Sequence, residues 1–178
     1  TKYHDIAAAH NPSVNLDTFL ASEAHVHAIY QHHAQSKDIC ITEGVMGLFD
    51  GYDKARGSSA AIAKLLDIPV VLVINAASMA YSATPLLFGY KNFWADLKIA
   101  GVIFNFVSSD SHYQYLCEAC ADTDLTPLGW LPKNADLEIP SRHLGLNLEL
   151  AVDDFSAQAA AVIQQPLDIE PVSSPPLP

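Results

Sequence analysis

The chain reads as an α/β protein, a mostly parallel sheet with helices on both faces. Three observations predict this. Short, uniformly apolar runs rich in β-branched residues recur along the sequence, as in strands buried on both faces of a parallel sheet. Helical patterns alternate with those runs, which is the order of βαβ units joined by right-handed crossovers. Each run also ends in polar or turn-forming residues: Glu43, Asn75, Asn105 and Pro132-Lys133-Asn134. Those four ends are expected along one edge of the sheet, where ligands bind in open α/β folds.

The elements follow in order. Asn15-Leu16-Asp17 precedes Phe19, Leu20, Val26 and Ile29 with alanines between, predicting a helix capped by Asn15 or Asp17. Ile39 to Thr42 is a predicted strand. Gly57-Ser58-Ser59 opens the helical run 60–66, with Ser58 as N-cap. Pro69 to Ile74 is a strand expected to be buried on both faces. Ser82 to Trp94 is a helix that carries Pro85 in its first turn. Ile99 to Phe104 is a buried strand ending at Asn105, and Ser111 to Ala121 is a helix. Thr126 to Leu131 is a last short strand closed by Pro132, and Asp153 to Gln164 is a final helix. Residues 166–178 hold five of the eleven prolines and read as an extended linker, which leaves 1–165 as the folded part. Thr1 is not Met, and the opening residues carry no helix or strand signal, so the chain reads as a piece of a longer polypeptide.

Composition narrows the function. Half of the 178 residues are hydrophobic and 16% are charged, enough to fill a sizeable core. The net charge of −11 argues against a broad nucleic-acid surface, which needs clustered Lys and Arg. No apolar run approaches the roughly 20 residues of a spanning helix, and the start lacks a signal-peptide pattern. Cys40, Cys117 and Cys120 suggest reduced thiols, so a cytoplasmic protein without membrane attachment is expected. The Cys117-Glu118-Ala119-Cys120 spacing has no second pair and is a weak zinc or redox signal. His25, His27, His32 and His33 wrap several faces of one helix and read as solvated.

The chemistry-bearing run is Ile39-Cys40-Ile41-Thr42-Glu43-Gly44-Val45-Met46-Gly47-Leu48-Phe49-Asp50-Gly51. An apolar segment stops at a carboxylate, and three glycines and a second carboxylate follow. Glycines let backbone approach a ligand closely. Glu43 and Asp50 suit an Mg²⁺-phosphate site, because that ion takes one or two carboxylates plus substrate phosphates; solvated loop acids are the competing reading. The Ser58 turn at a helix start is an anion-site candidate or a plain cap. Asn105 can read a base edge or cap its own turn. Arg142, in Pro140-Ser141-Arg142-His143-Leu144-Gly145-Leu146, can clamp a carboxylate or phosphate or lie free on the surface. There is no G-x-x-x-x-G-K-S/T loop and no cysteine in a Gly-flanked nucleophile turn.

Taken together, Glu43 to Gly51 resembles the E-G-V-M-G-L-F/Y-D-G signature of the cobyrinic acid a,c-diamide synthases. The segments Pro12 to Asp17, Gly57 to Ala60, Ser78 to Ser82, Gly101 to Asn105 and Arg142 to Leu146 resemble that family's other motifs, in order. The resemblance covers roughly residues 4–147. It implies an internal segment of a P-loop NTPase-like, dethiobiotin-synthetase-like ligase domain, lacking the first strand and the P-loop and inactive alone. It implies amidation of the a and c carboxylates of a corrin ring through acyl phosphates, with ATP, Mg²⁺ and glutamine or ammonia. Glu43 and Asp50 then match the catalytic acids, with Glu43 the metal ligand. Asn105, Gly44 and Ser58 match nucleotide-binding positions, and Asn15, Asp17, Ser82 and Arg142 match substrate-binding ones. The implied partners are a corrinoid and a glutaminase domain of the same polypeptide, with a homodimer open to it. Asn75, Tyr81 and Phe106 depart from the family pattern of Asp, Arg and Arg. A dethiobiotin-synthetase-like carboxylate- or carbamate-activating ligase and a ParA/MinD-like partner-binding ATPase are the alternatives.

Overall fold

Three short apolar runs pair in parallel, because a helix follows each of the first two and returns the chain to the starting edge. The computed structural model describes residues 11–134. Its strands are β1 (Val70–Asn75), β2 (Ile99–Val107) and β3 (Pro127–Pro132), in the order β1-β2-β3. Asn75 is the register partner of Asn105, and Asn105 of Leu131, so three carboxyl ends lie level along one edge. The helices are α1 (Glu23–Ala34), α2 (Ser59–Leu65), α3 (Ala83–Phe93) and α4 (Asp110–Asp122).

Leu72 and Ile74 of β1 and Val102, Phe104 and Val107 of β2 form one apolar face. Ala83 and Leu87 of α3 and Leu116, Ala119 and Cys120 of α4 close over it. Phe104 is 0% exposed at the centre, a burial worth about 1.5–3 kcal/mol. Gly101 lets β3 come this close: a Cβ there would lie 2.6 Å from Leu128 Cγ and 2.7 Å from the Thr126 carbonyl oxygen. Separately, Ala60 and Ala63 of α2 pack with Leu97 near the start of β1, joined by Leu48, Phe49 and Trp94.

The α/β class, the three strands and the helices at 59–65, 83–93 and 110–122 agree with the sequence reading, and Ser58 caps α2 as expected. Other expectations are corrected. Ile39 to Thr42 forms no strand. Ile39 is 65% and Ile41 91% exposed, and no ladder partner for this run lies among the described residues. An apolar run becomes a strand only when its N–H and C=O groups are paired. The first helix starts later than read. Ser22 caps it, its oxygen accepting from the His25 N–H, while Asp17 Oδ1 accepts from the Phe19 N–H at 2.7 Å in a preceding turn. β1 is not buried on both faces, because Val73 is 64% exposed. β2 runs past Asn105 to Val107 through a bulge whose extra residue, Phe106, sits at φ 60°. Such a conformation costs a bulky side chain about 1–3 kcal/mol. The helix expected at 153–164, the linker at 166–178 and Arg142 lie outside the described residues.

Candidate active site

The level strand ends carry two amides. Asn75 Oδ1 accepts from the Ala77 N–H at 3.0 Å, and Asn105 Oδ1 accepts from the Phe106 N–H at 2.9 Å. Those bonds fix both orientations and leave the Nδ2 hydrogens for other partners. The Asn105 carbonyl oxygen accepts from the Ala76 N–H at 2.8 Å, which ties the two strand exits together.

The Glu43–Gly51 run is fastened to the fold at its second half. Leu48 packs into both apolar clusters at the sheet, and its carbonyl oxygen accepts from the Ala60 N–H of α2 at 2.9 Å. Phe49 stacks within an aromatic group of Tyr90, Phe93 and Trp94, with centroids 4.7 to 6.1 Å away. The first half is bare. Gly44 lies against the start of α2, where a Cβ would come 2.7 Å from Ser59 Oγ. The Asp50 N–H donates to the Gly47 carbonyl at 2.9 Å, and the Asp50 carboxylate lies close over Gly47 with no room for a side chain between. Glu43 is exposed and has no hydrogen bond or ion pair among the described residues.

The structure therefore brings Gly44, Asp50 and the start of α2 into one neighbourhood, and Asn75 and Asn105 into another at the strand ends. Ser58 is 1% exposed, and its oxygen accepts from the Ala61 N–H at 3.2 Å, so the hydroxyl is engaged as a buried cap. Asn15, Asp17 and Ser82 are exposed, and the Asp17 carboxylate is engaged by its own turn. Ser82 precedes α3 without a side-chain capping bond. No three His, Cys, Asp or Glu side chains converge as a metal site among the described residues. Glu43 and Asp50 are nonetheless the right donors for a hard cation that completes its shell with phosphates and water.

Sequence reasoning missed three contributors. Arg56 follows Asp50 by six residues, lies 5.6 Å over the Tyr52 ring and forms a loose pair with Asp53 at 3.7 Å. Its signal was that it is the single arginine of residues 11–134. Ser59, and not Ser58, touches Gly44. His112 holds the segment after β1: one ring nitrogen bonds the Met79 carbonyl, while Nδ1 accepts from the Ser108 N–H at 3.2 Å. Tyr81, in the same segment, donates to Asp122 at 2.5 Å, and this bond raises its phenol pKa. The C-x-x-C pair lies on α4. Burial pushes the Cys120 thiol up to about 12 and raises Cys117, so neither supplies a ready thiolate.

Comparison with known proteins decides what kind of chain carries this arrangement. A family profile described as an AAA domain matches residues 2–141. The chain belongs to that AAA domain family. Its relatives within the family bear out the resemblance read from the motifs. It is 47% identical over 148 residues to a cobyrinate a,c-diamide synthase of Caldanaerobacter subterraneus, covering 82% of this chain and 32% of the relative. It is 40% identical over 182 residues to a protein of the same name from Dehalococcoides mccartyi, covering 96% of this chain and 39% of the relative. A hydrogenobyrinate a,c-diamide synthase of Mycobacterium bovis is 42% identical over 150 residues, covering 81% and 33%. The chain thus spans about a third of the length of the curated relatives it matches. An AAA domain chain of this kind is an α/β nucleotide-type fold with synthase relatives. No helix among its described residues is long and apolar enough to cross a membrane.

Proposed function

We propose that this chain is part of the ligase domain of an enzyme that amidates the a and c carboxylates of a corrin acid in cobalamin biosynthesis. The observation that carries this is the Glu43–Gly51 run, fastened to the sheet through Leu48 and Phe49 in a chain 40–47% identical to synthases of that name. One oxygen of each carboxylate attacks the terminal phosphorus of ATP, and the bond to ADP breaks as ADP leaves. Ammonia then attacks the acyl carbon, and phosphate departs with the carbon–oxygen bond electrons. Glutamine supplies the ammonia through a glutaminase domain of the same polypeptide.

The roles of this chain's residues follow from their chemistry. Glu43 and Asp50 would hold Mg²⁺, which when bound neutralises charge on the phosphates being transferred. Gly44 and Gly47 let the run fold closely against Ser59 and the Asp50 carboxylate, which holds those groups beside the proposed phosphate site. The Asn105 amide reads the nucleotide base. Asn15, Asp17, Ser82 and Arg142 contact the corrinoid or its carboxylates.

The test uses the full-length protein with a corrin acid, ATP, Mg²⁺ and either glutamine or ammonium. Mass spectrometry should show two successive amidations, each ATP-dependent. An ATP-dependent carboxylation of a small diamine, with corrin acids untouched, would overturn the proposal.

A further inference from the structure

We propose that Phe106 is the stacking surface for the base of the bound nucleotide, beside the Asn105 amide; this rests on the ATP-dependent reading above. The side-chain parity of β2 carries it. Val102 and Phe104 are fully buried beneath α3 and α4, and strict alternation puts residue 106 next in that row. Val107 fills the place instead, 1% exposed. Phe106 is the extra residue between the Asn105–Leu131 and Val107–Pro132 pairs. Its φ of 60° is penalised for a bulky side chain and free for glycine. The fold therefore keeps a large ring out of a core row it would match, in an unfavourable backbone conformation. That ring stands 37% exposed at the carboxyl end of the central strand. Bulges beside sites re-aim side chains in this way, and open α/β sheets bind ligands at this edge.

The neighbours select the ligand chemistry. The Phe106 N–H is held by Asn105 Oδ1 at 2.9 Å, so the Asn105 Nδ2 hydrogens remain for a ligand. Asn75, its register partner, is fixed in the same sense through the Ala77 N–H. An aromatic face beside amide donors suits a planar heterocycle with ring-nitrogen acceptors, as a purine is. A corrin ring has a saturated, puckered perimeter crowded by side chains and offers no such flat face.

Calorimetric titration of the full-length protein with ATP and with inorganic tripolyphosphate tests the proposal. Phe106→Ala should weaken ATP by about tenfold, the order expected for losing one base–aromatic stack. Tripolyphosphate affinity should be unchanged, and Phe106→Trp should restore ATP binding. Phe106→Gly should weaken ATP as Ala does while raising the thermal midpoint, because glycine relieves the backbone. Unchanged ATP affinity in the Ala and Gly variants overturns the stacking role alone. Parallel loss of both ligands overturns it too, since that marks a structural effect. A wild-type protein that binds neither ligand overturns the ATP-dependent reading together with it.

Discussion

Glu43 and Ser58 each admit a functional and an architectural reading from the sequence, and they come apart in the structure. Glu43 is exposed, with no partner among the described residues, so its carboxylate does nothing for the fold that a neutral amide would fail to do. Glu43→Gln in the full-length enzyme should therefore lower turnover by orders of magnitude while leaving the thermal midpoint in place; near-normal amidation would remove Glu43 from the site. Ser58 is buried and accepts the Ala61 N–H. Ser58→Ala should lower unfolding stability by about 1 kcal/mol, the usual loss for an N-cap, with little change in ATP affinity. A large affinity loss at unchanged stability would return Ser58 to the ligand site. From sequence alone the two residues looked alike, since each is a polar side chain at the mouth of an element. Only burial and the hydrogen-bond partner separate them.

At the scale of elements, α3 and the turn after α4 are joined by Lys91. Its ammonium donates to the Thr123 and Asp124 carbonyls and to the Asp124 carboxylate, all within 2.9 Å. The hydrogen bond from Lys91, followed by its charge, lowers the Asp124 carboxyl below its ordinary range. A carboxyl lowered on folding stabilises the protein above its unfolded pKa, near 4, and loses that contribution as pH falls through the lowered value. Lys91→Met should cost about 1 kcal/mol at neutral pH, chiefly from the part-buried Thr123 carbonyl left without its donor. The gap between wild type and variant in urea unfolding should narrow below about pH 4 without closing. A gap independent of pH would show that the carboxylate pair adds nothing. The core strands were legible because a run such as Val70–Ile74 can satisfy its side chains only inside a sheet. The bulge was not legible, because bulge positions with positive φ ordinarily carry glycine and this one carries phenylalanine. The Ile39–Thr42 expectation failed for a related reason: periodicity reports what a segment can bury and says nothing of whether a partner is at hand.

Across the whole molecule, apolar surface is unevenly covered. Ile39, Ile41, Val45, Met46 and Val73 all stand open. Exposed apolar patches and uncovered strand edges favour association. The 178-residue chain alone should therefore shift to larger species in size-exclusion chromatography as its concentration rises. The double substitution Ile41→Lys with Val73→Lys should hold it monomeric. A wild-type chain that stays monomeric throughout would show that this surface is covered by other means. The strand order carries a different consequence. β1, β2 and β3 are neighbours in space in the order in which they occur in the chain. A ribosome releasing the polypeptide from its amino end can therefore extend this sheet one strand at a time. Each newly emerged strand docks on the last, and none of the three waits to be threaded between two already in place.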